Sequence, residues 1–276
     1  MDQKADHTSS AWPIVDGKEH ASPSAFQPEA LLREARRQKG VPLLDVPQIC
    51  MLDPDGDVVR HLRRTGAGRL HQGWACYHTE LLAFDLEGIG EVGVVGCAVG
   101  APFAVLVAEQ LFVSGCQLLI SVTSAGQITD NGPPPYFVLI DRALRDEGTS
   151  YHYLPPARFA EAPDASLLAR VESALTALPG IAVHRGATWT TDAPYRETDT
   201  AIASARDASA LAVEMEAAAL YAFATLKRRS VVCFAHVTNT MAQTNGDFEK
   251  GEADGATATL ALVAASARAW RSTADR

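Results

Sequence analysis

An α/β fold built on a largely parallel or mixed sheet is what this sequence predicts, and three observations predict it. Apolar runs without polar alternation, EVGVVG at 91–96, QLLISV at 117–122 and VVCFAHV at 231–237, read as strands buried on both faces. Segments carrying helix start and stop signals alternate with them. The chain has 276 residues, 47% of them apolar, which suits one domain with a sizeable core.

In chain order, residues 1–25 are polar, with scattered Ser, Pro, His and Asp, and read as a flexible or loosely docked arm. Pro28 opens a helix and Gly40 closes it, with Pro42 beyond. Residues 43–51 are extended and end in Asp53-Pro54-Asp55-Gly56-Asp57, a turn by composition. Residues 80–86 alternate as a strand, and 91–96 follow as a buried one. Pro102 stands in the first turn of a helix running to about 113. The strand at 117–122 leads into a turn, Thr123-Ser124-Ala125-Gly126-Gln127, and 136–141 form another strand. Residues 164–178 make an amphipathic helix, 181–189 are extended, and 211–213 read as a short strand. Residues 213–224, V-E-M-E-A-A-A-L-Y-A-F-A, read as a helix: strong helix formers, no Gly or Pro, apolar on nearly every face. The strand at 231–237 and a closing helix at 256–271 complete the chain, with no internal repeat and no domain linker.

The net charge is −9, with both signs interspersed, so a broad nucleic-acid footprint is excluded and a local cationic pocket is not. The five cysteines are odd in number and include no C-x-x-C pair. They read as reduced, mostly buried thiols of a cytoplasmic protein. No window approaches the length of a membrane span, so no membrane partner is expected.

Several motifs bear on chemistry. Gly88-Ile89-Gly90-Glu91-Val92-Gly93 matches G-x-G-x-x-G, but it enters a strand instead of following one, so it is not a dinucleotide fingerprint. The histidines show no metal spacing, and no metal site is expected. Residues 96–102 sit where a strand becomes a helix, which fits either a ligand approaching backbone or tight packing. With the small, hydroxyl-bearing segment at 123–126 they suggest a pocket at the carboxyl edge of a sheet. Residues 145–156, R-D-E-G-T-S-Y-H-Y-L-P-P, and 190–198, T-T-D-A-P-Y-R-E-T, are dense in hydrogen-bonding and aromatic groups; each alone is a surface loop. Glu214 and Glu216 stand in the first turn expected of the 213–224 helix, where a buried carboxylate needs hydrogen-bond partners.

Taken in this order, V-E-M-E-A-A-A, G-C-A-V-G-A-P, S-V-T-S-A-G-Q-I, R-D-E-G-T-S-Y and T-T-D-A-P-Y-R-E-T resemble the nucleoside phosphorylase family, the purine nucleoside and uridine phosphorylase superfamily. The resemblance runs from about residue 43 to the end. It implies a three-layer α/β/α fold around a mixed, partly barrel-like sheet, in a single catalytic domain over 26–276. It also implies cleavage of a nucleoside N-glycosidic bond, with phosphate as co-substrate and no cofactor or metal. A homo-oligomer, dimer, trimer or hexamer, is implied as well.

By the same resemblance Glu216 bonds the ribose hydroxyls, Met215 packs under the sugar, and Glu214 supports. Ser124, with Gly126 in the same segment, lies where a hydroxyl contacts phosphate, and Gly96 belongs to the loop near that anion. Tyr195 and Arg196 fall on the base side. Asn239 falls where the departing base is hydrogen-bonded, and its identity fits a 6-oxopurine or a pyrimidine. Two departures stand out. The family's Gly-Asp-Pro-x-Arg phosphate loop is replaced by the acidic 53–57 turn, and the second phosphate arginine is Ser121 here. A phosphate dianion needs cationic or amide partners. Either Arg60, Arg145 or a neighbour's arginine supplies the charge, or water is the nucleophile and the enzyme is a nucleosidase; a non-catalytic nucleoside-binding protein of the same fold is the third alternative.

Overall fold

The computed structural model describes residues 12–241 and 248–272. Its first helix, α1 (Pro28–Lys39), starts on a proline and ends on Gly40, whose φ of 66° is the left-handed conformation that a helix stop favours. β1 (Ile49–Asp53), α2 (Asp57–Thr65) and β2 (Arg69–Leu70) follow. Next come β3 (Leu82–Leu86), β4 (Gly90–Gly96), α3 (Ala101–Val113), β5 (Leu118–Gln127), β6 (Tyr136–Asp146) and β7 (Phe159–Glu161). The remainder is α4 (Ala165–Leu175), β8 (Val183–Thr191), α5 (Asp199–Asp207), β9 (Ala210–Glu214), α6 (Ala217–Lys227), β10 (Ser230–Asn239) and α7 (Ala256–Arg271).

All ten strands join one mixed sheet. β5 pairs with both β9 and β10, so β10, β6, β8, β9 and β5 close on themselves as a five-stranded ring. From β5 the sheet continues through β1 and β4, both parallel, to antiparallel β3 and β2. Two cores flank it. Along β10, Val231, Cys233, Ala235 and Val237 enter one core, while Val232 and Phe234 enter the other. That is the period-2 alternation of a strand covered on both sides, which is why its sequence is one apolar run. α3 and α6 cover the first face; α2, α4 and α7 cover the second. The three-layer α/β/α fold with a partly barrel-like sheet is therefore present.

Two expectations are corrected. The 213–224 stretch is not one helix: it is the end of β9, a turn at Met215 and Glu216, and then α6. Glu214 stays extended because Val213 pairs with Gly126 and Glu214 with Thr190, and its carboxylate folds back over the start of α6. The segment Thr123–Gln127 is not a turn but the second half of β5, held extended by pairing with β10 and β9. The helices α2 and α5 carry no strong sequence signal beyond Gly56 and the Thr198 cap, whose Oγ1 accepts the Ala201 N–H at 3.3 Å.

Cys50, Cys76, Cys116 and Cys233 are buried and Cys97 is exposed. Of the arm expected over 1–25, residues 1–11 lie outside the described residues. The following stretch meets the loop after β6, with Lys18 Nζ 3.1 Å from His152 Nδ1 and His20 Nε2 3.1 Å from the Tyr151 carbonyl. No helix among the described residues is long and apolar enough to cross a membrane.

Tyr221 ties α6 to the ring. Its hydroxyl donates to the Ile140 carbonyl at 2.6 Å and accepts the Cys233 N–H at 3.2 Å, in a fully buried site. Tyr221→Phe strands both backbone groups, so it should cost ~1–3 kcal/mol of stability. Urea unfolding measures this; an unchanged midpoint would mean that the two groups find other partners.

Candidate active site

The carboxyl ends of β5, β9 and β10, with the 3-10 turn Pro194–Arg196, surround a cleft of about 520 Å³. Ser124, Gly126, Tyr195, Glu214, Met215 and Asn239 line it, so the structure brings these expected residues together. The β-ladder does the positioning: Asn239 pairs with Gly126 and His236 with Ser124. A Cβ at Gly126 would stand 2.5 Å from Met241 Sδ, so glycine keeps this wall of the cleft clear.

The two glutamates differ by saturation, not by the roughly 200° that would separate i and i+2 around a helix. Glu214 Oε1 accepts the hydroxyls of Thr188 and Thr190, and its Oε2 accepts the N–H groups of Glu216 and Ala217 at 2.7 Å. Thr190 Oγ1 also accepts the Ala218 N–H at 3.0 Å. Glu214 and Thr190 thus cap the first N–H groups of α6, which a helix start leaves unpaired. Burial raises the Glu214 carboxyl and these hydrogen bonds oppose the rise.

Glu216 has one oxygen to spare. Its Oε1 accepts the Gly100 N–H at 2.6 Å, while Oε2 is buried without a partner. The residue is 1% exposed and, unlike its neighbours Glu214 and Met215, does not line the cleft. Burial, then the neighbouring Glu214 charge, push its carboxyl up to about 8. A buried carboxyl with an unused oxygen, its other oxygen held by the Gly100 N–H at the start of α3, is suited to accepting hydroxyl donors.

The acidic turn also reaches the cleft, and the Asp55 charge adds to the rise at Glu216. Asp55 lines the cleft, and its Oδ2 accepts the Ser124 N–H at 2.7 Å. A carboxylate therefore occupies the backbone donor of the residue expected to contact phosphate. Ser124 Oγ has no partner. Lys250 is the single Lys or Arg among the described residues lining the cleft, and Asp57 holds it at 2.6 Å. Ser121 is buried in β5 with its Oγ unpartnered and brings no charge.

Three expected site residues are elsewhere. Arg145 is 6% exposed and bound within its own loop: Nε to Ser150 Oγ at 2.8 Å, and its terminal nitrogens to the carbonyls of Pro155 and Leu154 at 2.7 and 3.0 Å. It cannot replace a missing phosphate arginine without dismantling that loop. Arg196 is exposed in the Pro194–Arg196 turn and does not line the cleft, although Tyr195 does. Gly96 lines a separate cleft of about 480 Å³ with Lys39, Tyr77 and His78. Arg60 pairs with Asp57 on the acidic turn itself.

Residue-type reasoning missed Asp55, Glu197 and Lys250. Glu197 lines the cleft, has no hydrogen-bond partner among the described residues, and is raised by burial alone. The signals were there: three aspartates in five residues, and the final Glu of the T-T-D-A-P-Y-R-E segment. Among the described residues no group of three or more His, Cys, Asp or Glu is placed to hold a metal ion.

Comparison with known proteins adds to the geometry. The family model for the phosphorylase superfamily matches residues 48–272. A guanosine phosphorylase of Halorubrum lacusprofundi is 28% identical over 151 residues, 52% of this chain and 59% of that protein. An uncharacterized protein of Acanthamoeba polyphaga mimivirus is 26% identical over 164 residues, 59% of this chain and 63% of that one. The matches thus span about six tenths of the length of these curated relatives. Among solved structures, a uridine phosphorylase from Vibrio fischeri is similar with a TM-score of 0.69 and 21% identity, over 83% of this chain and 95% of that one. An AMP nucleosidase from Bacteroides thetaiotaomicron is similar with a TM-score of 0.70 and 18% identity, over 90% and 100%. At these identities the structural likeness is one of fold.

Proposed function

The chain belongs to the phosphorylase superfamily, and from that premise we propose that it cleaves the N-glycosidic bond of a purine ribonucleoside, with water as the nucleophile. The observation that carries the choice of water over phosphate is the Asp55 carboxylate on the Ser124 N–H, 2.7 Å away. A carboxylate at that donor repels a phosphate dianion and accepts a proton from water. Against the phosphorolysis expected first from the sequence, the two cations described beside the acidic turn, Lys250 and Arg60, are already paired by Asp57.

The chemistry divides among three groups. Glu216 Oε2 accepts the 2′ and 3′ hydroxyls, fixing the sugar and tolerating the positive charge that develops on it. Asn239 Oδ1 is held by the Met241 N–H at 2.9 Å, which aims Nδ2 at its weaker contacts, 3.3 and 3.5 Å away. Nδ2–H is then available to a ring nitrogen of the base as the C1′–N bond breaks and its electron pair passes to the base. Water bonds to C1′ and gives its proton to Asp55, whose Oδ1 remains open while Ser124 holds Oδ2. The departing base takes up a proton from solvent while Asp55 releases the one it accepted, and the products are free base and ribose.

The test is a nucleoside panel with and without phosphate, reading base and sugar products together. Release of ribose in phosphate-free buffer is expected; strict phosphate dependence with ribose 1-phosphate as product would overturn hydrolysis and leave glycosidic cleavage standing. The base is read by Glu197, an acceptor-only carboxylate that suits a base edge rich in N–H groups. Glu197→Ala should lower kcat/KM for a 6-oxopurine with an amino group by about 10–100-fold, since hydrogen bonds to charged groups contribute ~1.5–3 kcal/mol. A pyrimidine nucleoside should be affected far less, and an equal loss for both would remove Glu197 from base recognition.

A further inference from the structure

Nothing in the reaction uses the far ends of α3 and α6. There the segment leading into α1, the second half of α3 and the end of α6 bound a cavity of about 380 Å³. Among the described residues none lines both this cavity and the nucleoside cleft. Its wall holds a group whose hydrogen-bonding capacity is unmet. Gln110 is 3% exposed, lines the cavity, and has its Oε1 buried without a partner. The other buried residues of α3 are all apolar, so packing alone does not call for an amide here. An amide oxygen withdrawn from water and left unbonded destabilises the fold, and a ligand that donates to it recovers the loss.

The other polar groups on the wall say what such a ligand carries. Glu109, next to Gln110, accepts the Tyr153 hydroxyl at 3.1 Å with Oε1 and presents a second oxygen and a negative charge. Burial, then the Glu109 charge, push the Tyr153 hydroxyl up, so it stays protonated and its hydrogen is committed to Glu109. Two further donors are spent as well: Ser22 Oγ donates to Glu19 Oε2 at 2.9 Å, and His20 Nε2 to the Tyr151 carbonyl at 3.1 Å. The wall thus offers acceptors, and the ligand brings the donors. Charge points the same way. Glu19 and Glu109 both line the cavity, while Lys227, exposed at the end of α6, is the single Lys or Arg among the described residues that does. An anion would meet two carboxylates. Leu31, Leu226, Phe26 and Leu106 supply apolar wall, and the last two are 70% and 38% exposed, so an apolar body gains by covering them.

We propose that this cavity is a second binding site, for a small primary amine with an apolar body. Its ammonium group donates to Gln110 Oε1 against the charge of Glu109, and its body covers Phe26 and Leu106. The site stands apart from the reaction assigned to the cleft and does not depend on it. The experiment titrates three probes of one body, 4-phenylbutylamine, 4-phenylbutanol and 4-phenylbutyrate, into the full chain by calorimetry. The amine should bind about tenfold more tightly than the alcohol, the factor a hydrogen bond from a charged donor supplies, and the butyrate should bind most weakly. Gln110→Leu, which continues the apolar face of α3, should weaken the amine by about the same factor. Glu109→Gln, which keeps an oxygen for Tyr153, should bring the amine level with the alcohol. Leu106→Trp, at a half-exposed position, should fill the cavity and weaken amine and alcohol alike. Amine binding unmoved by Leu106→Trp and Gln110→Leu places the amine elsewhere, the acidic cleft included, and overturns the site. Equal binding of the three probes, binding of none, or preference for the butyrate overturns it as well. Melting curves establish that each variant is folded, and where Gln110→Leu is not, Glu109→Gln and Leu106→Trp decide.

Discussion

Glu216→Gln should lower kcat/KM for nucleoside cleavage by more than ~10²-fold, while leaving the protein at least as stable. Glutamine keeps the size of the side chain and an oxygen for the Gly100 N–H. It puts an N–H₂ donor where Oε2 stands, so the sugar hydroxyls meet donors, and it removes the negative charge that balances the oxocarbenium-like sugar. The pH dependence separates this from a packing defect. The Glu216 carboxyl, normally near 4.5, is pushed up to about 8, first by burial and then by Glu214. The ionised form is the better acceptor, so wild-type kcat/KM should climb as pH rises through about 8 and level above it. The glutamine variant should lack that limb. Stability runs the other way: a carboxyl whose folded value is raised favours the fold below its unfolded value, and the advantage is lost as pH rises through about 8. Melting temperatures of wild type and variant should therefore diverge between pH 5 and 9, with the variant the more stable at the alkaline end. A near-normal rate in Glu216→Gln would sink the assignment.

The residues that sequence placed well are those whose position depends on local signals. The run at 231–237 is apolar because β10 is covered on both faces, and α1 is bracketed by Pro28 and Gly40. The order of small-residue and V-E-M-E segments was enough to gather Ser124, Gly126, Met215 and Asn239 at one cleft. Where reading failed, a tertiary contact outweighed a local preference. V-E-M-E-A-A-A has helix propensity throughout, but strand pairing at Val213 and the fold-back of Glu214 onto α6 delay the helix to Ala217. Thr123–Gln127 has turn composition, but two partner strands keep it extended. Arg145 looked like a free cation because a sequence does not show that the loop it precedes returns two carbonyls to its guanidinium. The acidic 53–57 turn was visible as a departure. That one of its carboxylates reaches the Ser124 N–H, 69 residues away in the chain, was not.

Asp55→Asn should reduce ribose release by ~10²–10⁴-fold, the usual worth of a positioned general base. The substitution is mild in shape. Asparagine still offers an oxygen to the Ser124 N–H, so β5 and the turn keep their geometry, and what is lost is the proton acceptor and the charge. The lost charge has a second consequence. A carboxylate about 4 Å from a phosphate oxygen opposes it by roughly 4 kcal/mol at an effective dielectric of 20, on the order of 10³-fold in affinity. With that carboxylate replaced by the neutral amide, phosphate can reach the Ser124 N–H and the unpartnered Ser124 Oγ. The residual activity of the variant should thus respond to added phosphate and yield some ribose 1-phosphate, whereas the wild type should be indifferent to phosphate. Product analysis by sugar chromatography decides between the two. If the wild type already depends on phosphate, or if Asp55→Asn leaves ribose release intact, Asp55 is a structural acceptor for Ser124 and the nucleophile has to be activated elsewhere. The same cleft, with Glu216 and Asn239 unchanged, would then serve phosphorolysis. On the proposed hydrolytic reading, the choice between the two reactions turns on the charge at residue 55, where a carboxylate opposes the dianion and takes water's proton, and a neutral side chain does neither.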